Sequence, residues 1–187
     1  DSGVFRYVSI RHGGISIGEG NEINGLTLGG VGNGTQVEFV EVYATLDDGI
    51  ECFGGAVDIE NALIYYQGDD GIDLDMNYSG TISNFAVIHG DGIGTDESLE
   101  IDGPENDTNT DGLFTLFNGI CIVEGADGSA ADFKSGAQGF VSDVTFQSGD
   151  KAVRFRTRFN ESCEHRSDAY RNVIDGAPTL IFTNCGI

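Results

Sequence analysis

Apolar residues in this chain fall in short alternating runs, and the runs recur. "GIECF" (49–53), "GIDLD" (71–75), "SLEID" (98–102), "ADFK" (131–134) and "VRFR" (153–156) share one apolar–polar phase. Their lead positions are Ile50, Ile72, Leu99, Ala131 and Val153, at spacings of 22, 27, 32 and 22 residues. That is a unit of 22 residues carrying insertions of 5 and 10. A second set of runs keeps the same interval: "VEFVEVY" (37–43), "IENALIY" (59–65), "ISNFAVI" (82–88), "FNGICIV" (117–123) and "VSDVTFQ" (141–147), with "FRYVSIR" (5–11) as an earlier copy. No segment sustains a helical period. Short strands at a fixed interval, punctuated by Gly and Asp, predict an all-β solenoid, a parallel β-helix of about 22 residues per coil. An antiparallel sandwich gives no reason for so long a phase.

In such a coil each strand pairs in parallel with its copies on the coils before and after, about 4.8 Å away. Inward residues then stack in columns. Ile50, Ile72, Leu99, Ala131 and Val153 predict one column, and Cys52, Leu74, Ile101, Phe133 and Phe155 the next. Alternation sends the residues between them outward. The outward set is Glu51, Asp73, Glu100, Asp132 and Arg154, followed by Phe53, Asp75, Asp102, Lys134 and Arg156. The turns before these strands add Asp47, Asp69, Asp96 and Asp150, then Asp48, Asp70, Glu97 and Lys151. A carboxylate ladder therefore climbs one face and ends in basic residues.

Charge sharpens this picture. The 187 residues carry a formal net charge of −22. Residues 1–133 hold 25 acids against Arg6 and Arg11, whereas residues 134–187 hold 7 basic residues and 6 acids. Such an excess argues against nucleic acid and anionic membrane as partners. No apolar run is long enough to insert in a membrane. The expectation is one domain over 1–187, with a projecting acidic loop at 103–112 and a C-terminal loop at 159–178. No amphipathic capping helix is evident, so the chain reads as part of a longer β-helix or as one whose ends dock on something. None of the four cysteines has metal-ligand spacing. Cys163 and Cys185 flank the C-terminal loop and are expected to form a disulfide, while Cys52 reads as a buried thiol.

"NEINGLTLGGVGNGT" (21–35), "DDGIECFGGAVD" (47–58) and "DDGIDLDMNYSG" (69–80) resemble a group of secreted or lipid-anchored right-handed parallel β-helix proteins common in Bacteroidetes. The resemblance covers roughly residues 3–125. Cys52 stands where that group usually has Trp. It implies a right-handed parallel β-helix at the cell surface or outside the cell, and it carries no catalytic residues over.

The ladder itself suggests chemistry. Carboxylates at coil spacing repel by about 1 kcal/mol per pair in water, and by more in a less polar setting. Divalent cations relieve this, and oxygen-only donors suit Ca2+. Asp69, Asp70 and Asp96 are the ladder's candidate ligands. "DTNTDG" (107–112) matches the first half of a calcium loop, with Asp107, Asn109 and Asp111 as ligands, although position twelve is Asn118 rather than Glu. Turn chemistry is the plainer account of each single Asp, since Asp before Gly caps backbone N–H groups. As an enzyme, the chain would use Asp73, Asp75, Glu100 and Asp102 as acid and base, with Lys134, Arg154 and Arg156 holding a uronate. The motifs of known β-helix lyases and hydrolases are absent. The sequence therefore favours an extracellular or cell-surface binding or structural module, calcium-stabilised, with polysaccharide or other surface proteins as partners. The alternative is a polysaccharide lyase or glycoside hydrolase working on the outward face.

Overall fold

The computed structural model describes residues 3–18, 21–90, 95–104, 108–124, 128–148, 151–159, 161–162, 165–174 and 176–187. Two parallel sheets dominate. One has seven strands: β1 (Val4–Arg11), β5 (Gln36–Tyr43), β7 (Asp58–Tyr65), β9 (Thr81–Ile88), β11 (Phe114–Val123), β13 (Gly139–Ser148) and β17 (Leu180–Thr183), in that spatial order. The other has six: β4 (Leu26–Gly29), β6 (Ile50–Phe53), β8 (Ile72–Asp75), β10 (Leu99–Ile101), β12 (Ser129–Phe133) and β14 (Lys151–Phe155). The chain alternates between the sheets, one strand of each per coil. This is a right-handed parallel β-helix.

Both expected columns of the six-stranded sheet form, and each gains a residue. Leu26 pairs with Ile50 and Leu28 with Cys52, and the register then runs through Ile72 and Leu74 up to Val153 and Phe155. The facing columns of the other sheet include Val42, Ile64, Val87, Cys121 and Phe146, all buried. The glycines of the "DDGI" repeat follow from this packing. A Cβ on Gly49 would lie 2.3 Å from Ile64 Cγ2, and one on Gly71 would lie 2.3 Å from Val87 Cγ1. The glycine is needed for room against the opposite sheet, with no left-handed φ at either position.

One expected register is off by a residue. Leu116, not Phe117, pairs with Ile82, and Leu116 also pairs with Val141. Phe117 consequently faces out, 43% exposed, whereas Leu116 is fully buried. A one-residue shift moves a side chain to the opposite face, so burial decides the register. The first six strands of this sheet also each kink at one point. Tyr7, Phe39, Asn61, Asn84, Asn118 and Asp143 occupy the same coil position, each with φ between 53° and 60°. Asn and Asp tolerate this left-handed conformation better than most residues. Asn118 Nδ2 donates to Asn84 Oδ1 at 2.7 Å, linking two kinks side by side.

The loops hold more structure than expected. A small antiparallel pair, β2 (Ile15–Gly18) and β3 (Asn21–Ile23), precedes β4. The region read as a C-terminal loop contains β15 (Thr157–Phe159), β16 (His165–Asp168) and a short helix α1 (Ala169–Ile174). Asn172 Nδ2 ties that helix to the solenoid by donating to the carbonyls of Gly136 and Ala137 at 2.9 Å each. Cys185 is a half-buried free thiol directed at the Val141 and Thr183 carbonyls rather than joined to another sulfur. Cys163, its expected partner, lies outside the described residues. Cys52 and Cys121 are buried free thiols. Among the described residues no helix is long and apolar enough to cross a membrane.

Candidate functional site

The outward face of the six-stranded sheet carries the ladder in the expected register. Thr27, Glu51, Asp73, Glu100, Asp132 and Arg154 pair in sequence across β4, β6, β8, β10, β12 and β14. Outward direction does not mean exposure here, however. Glu51, Asp73, Asp132, Asp48, Asp70, Glu97 and Asp102 are all buried.

The second Asp of each "DDGI" does turn chemistry, but toward the neighbouring coil. Asp70 N donates to Asp48 Oδ1 at 3.0 Å, and Glu97 N donates to Asp70 Oδ1 at 2.6 Å. Each carboxylate caps the backbone of the next coil along. One oxygen of each Asp is thereby engaged.

A cleft of about 360 Å³ opens over the lower part of the ladder. Its walls are Glu22, Asp47, Asp48, Glu51, Phe53, Asp69, Asp70, Asp73 and Glu100. Glu22 reaches it from β3, a contribution no repeat could reveal because the β2–β3 pair has no counterpart before β6, β8, β10, β12 or β14 among the described residues. Within the cleft, Asp48, Glu51 and Asp73 bring one carboxylate oxygen each to within 4.8 Å of one another, and so do Asp47, Asp48 and Asp69. Asp70, Glu97 and Glu100 form a further group, as do Asp73, Asp75 and Asp102.

Burial and mutual repulsion raise the pKa of these groups. Burial, reinforced by the neighbouring acids, pushes Asp73 up to about 10 and Asp48 up to about 8. The same causes bring Glu51 to about 7, against the hydrogen bond from Asn24, and Asp69 to about 6. Asp47 and Asp70 are raised as well, burial being the first cause in each. Asn24 Nδ2 donates to Glu51 Oε2, and Thr27 Oγ1 also accepts from that amide at 3.3 Å. Asp73 Oδ1 has no hydrogen-bond partner among the described residues, although Asp73 is only 7% exposed.

The upper part of the ladder is different. Lys134 Nζ bridges Glu100 and Asp102, the latter at 3.1 Å. Burial lowers the Lys134 ammonium, but these two acids outweigh it and hold the group above its ordinary range. Arg154 pairs with Asp132 at 2.8 Å and with Glu97, and Arg156 pairs with Asp132. The three cations expected to hold a uronate are thus directed at the protein's own carboxylates.

The remaining expected ligands are spread out. Asp69 and Asp70 line the cleft but fall in different oxygen groups. Asp96 is exposed and joins none of the described groups. Asn109 and Asp111 are exposed. The described part of their segment is hydrogen-bonded to the coil. Asn77 Nδ2 donates to Asn109 O at 3.0 Å, and Gln138 Nε2 to the carbonyls of Thr110 and Gly112 at 2.7 and 2.9 Å. Asp107 lies outside the described residues.

A buried acidic cleft on the strand face of a β-helix is the setting in which a family comparison becomes informative. A family described as a pectate-lyase-like β-helix domain matches residues 1–175. The chain belongs to that family. No curated protein and no solved structure matches it. Membership accounts for the β-helix and points toward polysaccharide-related proteins, without naming a reaction.

Proposed function

We propose that this chain is a binding module of an extracellular or cell-surface protein, and that its acidic cleft holds a divalent cation. The observation that carries this reading is Asp73. Its Oδ1 is buried and unpartnered, and it belongs to an oxygen group with Asp48 and Glu51 that no basic side chain approaches among the described ion pairs. An unpaired buried acid is costly unless it is neutralised by a proton or a cation. The donors are all hard oxygens in an irregular array, which suits Ca2+ with its six to eight flexible ligands better than Mg2+ with its strict octahedron. The protein fills only part of such a shell, so ligand oxygens can complete it. An acidic polysaccharide is the ligand class this reading favours, in keeping with the family.

Calorimetric titration of the chelator-treated protein with Ca2+ tests the proposal. Saturable heat is expected, together with a rise in melting temperature. Both are expected to vanish in Asp73→Asn combined with Glu51→Gln. A wild-type chain that gives neither heat nor a melting shift sinks the reading.

The second reading is a polysaccharide lyase or glycoside hydrolase. It is favoured by Asp73, a carboxyl held near 10 beside Glu51 and Glu100, which is the form a general acid needs. Against it stand the ion pairs of Lys134, Arg154 and Arg156. A panel of acidic and neutral polysaccharides assayed with and without Ca2+ separates the two. Turnover lost in Asp73→Asn favours the enzyme, and binding without turnover favours the module.

A further inference from the structure

We propose that Asn33 is a site of spontaneous modification, deamidating through the backbone amide of Gly34, while the fold keeps the chain's other two Asn-Gly steps from reacting. The three steps are Asn24–Gly25, Asn33–Gly34 and Asn118–Gly119. At each, the Gly nitrogen can attack the Asn side-chain carbonyl carbon, since no Cβ on the Gly stands in the way. The new N–Cγ bond closes a five-membered imide, the Cγ–Nδ2 bond breaks and ammonia leaves. Water then opens the imide at either carbonyl, giving aspartate or isoaspartate. Water is the only co-reactant, so the outcome at each step rests on whether side chain and peptide can reach each other.

The first step is locked in the core. Asn24 is 7% exposed. Its Nδ2 donates to Glu51 Oε2 and, at 3.3 Å, to Thr27 Oγ1. Gly25 N, the attacking atom, donates to Asp48 O at 2.8 Å. Gly25 is also wedged against the core, where a Cβ would lie 2.5 Å from Val42 Cγ1. Asn118 is exposed but equally fixed. Its amide donates to Asn84 Oδ1 at 2.7 Å. Gly119 pairs with Phe85 of β9 on one side and Val144 of β13 on the other. Its peptide is therefore built into the middle of a sheet.

Asn33 and Gly34 stand between β4 and β5, and both are exposed. Thr35 N donates to Gly32 O at 3.1 Å. This closes a β-turn over 32–35 with Asn33 and Gly34 at its two central positions. The closing bond uses groups of Gly32 and Thr35 and leaves the Gly34 amide out of it. Among the described residues no hydrogen bond engages the Asn33 side chain or the Gly34 N–H. Neither residue has a left-handed φ, so a side chain at position 34 is tolerated. The turn is anchored on either side, by Ala56 N to Val31 O at 2.8 Å and by Gln36 N to Gly3 O at 3.0 Å. The product adds one carboxylate to a chain already at −22. Its isoaspartate form lengthens the main chain by a single carbon, and the anchors confine that change to the turn.

Ageing the full chain in warm, mildly alkaline buffer, both natively and in urea, tests this. Tandem mass spectrometry follows the amide-to-acid mass change at each of the three positions. In urea all three are expected to convert at similar rates. In the folded chain, position 33 is expected to convert close to its urea rate. Positions 24 and 118 are expected to slow at least about tenfold, because each needs a local opening first. A matching acidic shift is expected on ion exchange, slowed in Gly34→Ala and abolished in Asn33→Gln. Folded protein in which position 33 stays intact, or converts no faster than 24 and 118, overturns the proposal. An acidic shift that persists unchanged in Asn33→Gln does the same.

Discussion

The lower and upper parts of the ladder share one architecture and solve the same electrostatic problem differently. In both, carboxylates stack on or just before the outward positions of a parallel sheet, and most of them are buried. The upper acids, Glu97, Glu100, Asp102 and Asp132, are met by Lys134, Arg154 and Arg156. The lower acids, Asp47, Asp48, Glu51, Asp69 and Asp73, form no ion pair among the described residues and lie beside further acids, with hydrogen bonds from Asn24 to Glu51 and from the Asp70 backbone to Asp48. Burial raises the pKa of both Asp132 and Asp73. Arg156 opposes the rise at Asp132, while only further acids surround Asp73. The difference shows that a repeating coil does not by itself fix a repeating chemistry. What a column of acids does depends on whether a cation stands within reach, and among the described residues the ladder meets its cations at β12 and β14.

The comparison can be broken most forcefully from above. Arg154→Ala with Arg156→Ala leaves Asp132 fully buried without a counter-charge. Breaking a buried pair costs about 3–5 kcal/mol, and partial exposure of both guanidinium groups reduces this to about 2–3 kcal/mol. Urea denaturation is expected to report that loss, and Asp132→Asn in the same background to recover much of it. If the double variant is as stable as wild type, the upper ladder does not depend on its own cations.

The lower ladder should instead respond to added ions. Ca2+ at about 100 times its dissociation constant is expected to add about 2.7 kcal/mol, seen as a higher melting temperature. Asp73→Asn should reduce this gain. Arg154→Ala should not reduce it, and a loss of the calcium response in that variant would place the ion in the upper part instead.

Acidity sharpens the contrast further. The lower carboxyls have folded pKa values raised above their unfolded ones, to about 6 for Asp69, 7 for Glu51, 8 for Asp48 and 10 for Asp73. Over this range the native state binds more protons than the unfolded state, so stability falls as pH rises. Without divalent ions the melting temperature is expected to decline from about pH 5 to pH 8, as Asp69, Glu51 and Asp48 lose the protons that folding favours. Saturating Ca2+ should flatten this slope. A flat profile in the presence of chelator would mean that the lower acids are ionised and compensated in some other way.

The smallest effect serves as a control on the opposite sheet. Arg6 pairs with Glu38 at 2.7 Å, but Arg6 is more than a third exposed. Arg6→Ala should change stability by less than about 1 kcal/mol. A larger loss would show that exposed pairs matter here as much as the buried ones beside Asp132.

Much of the fold was legible in the residues. The 22-residue interval determined the coil, and the apolar alternation determined which of Ile50, Glu51 and Cys52 turns inward. The outward register of Glu51, Asp73, Glu100 and Asp132 followed from the same alternation. The fifth copy of the longer strand was misread by one residue because "LFNGICIV" offers apolar side chains in both phases. Only the fit of Gly119 beneath the Phe85 ring, where a Cβ would lie 2.2 Å from Phe85 Cζ, and the burial of Leu116 settle it.

The site was legible only in outline. Repetition marked the acids, because identical turns repeat identical residues. It could not mark Glu22, which arrives from an unrepeated pair of strands, nor assign Arg154 and Lys134 to particular acids, since ion pairing depends on side-chain reach between coils. Above all, alternation predicts direction and not depth. It sent Asp73 outward, as found, but whether an outward residue meets water depends on what the rest of the chain packs around it. The sequence by itself therefore determined the coil, its columns and the line of acids. The tertiary structure decided that most of the acids are buried, which of them the protein pairs with its own cations, and which group has no such partner among the described residues. Burial and pairing are properties of groups brought together from different coils, and no local pattern encodes them.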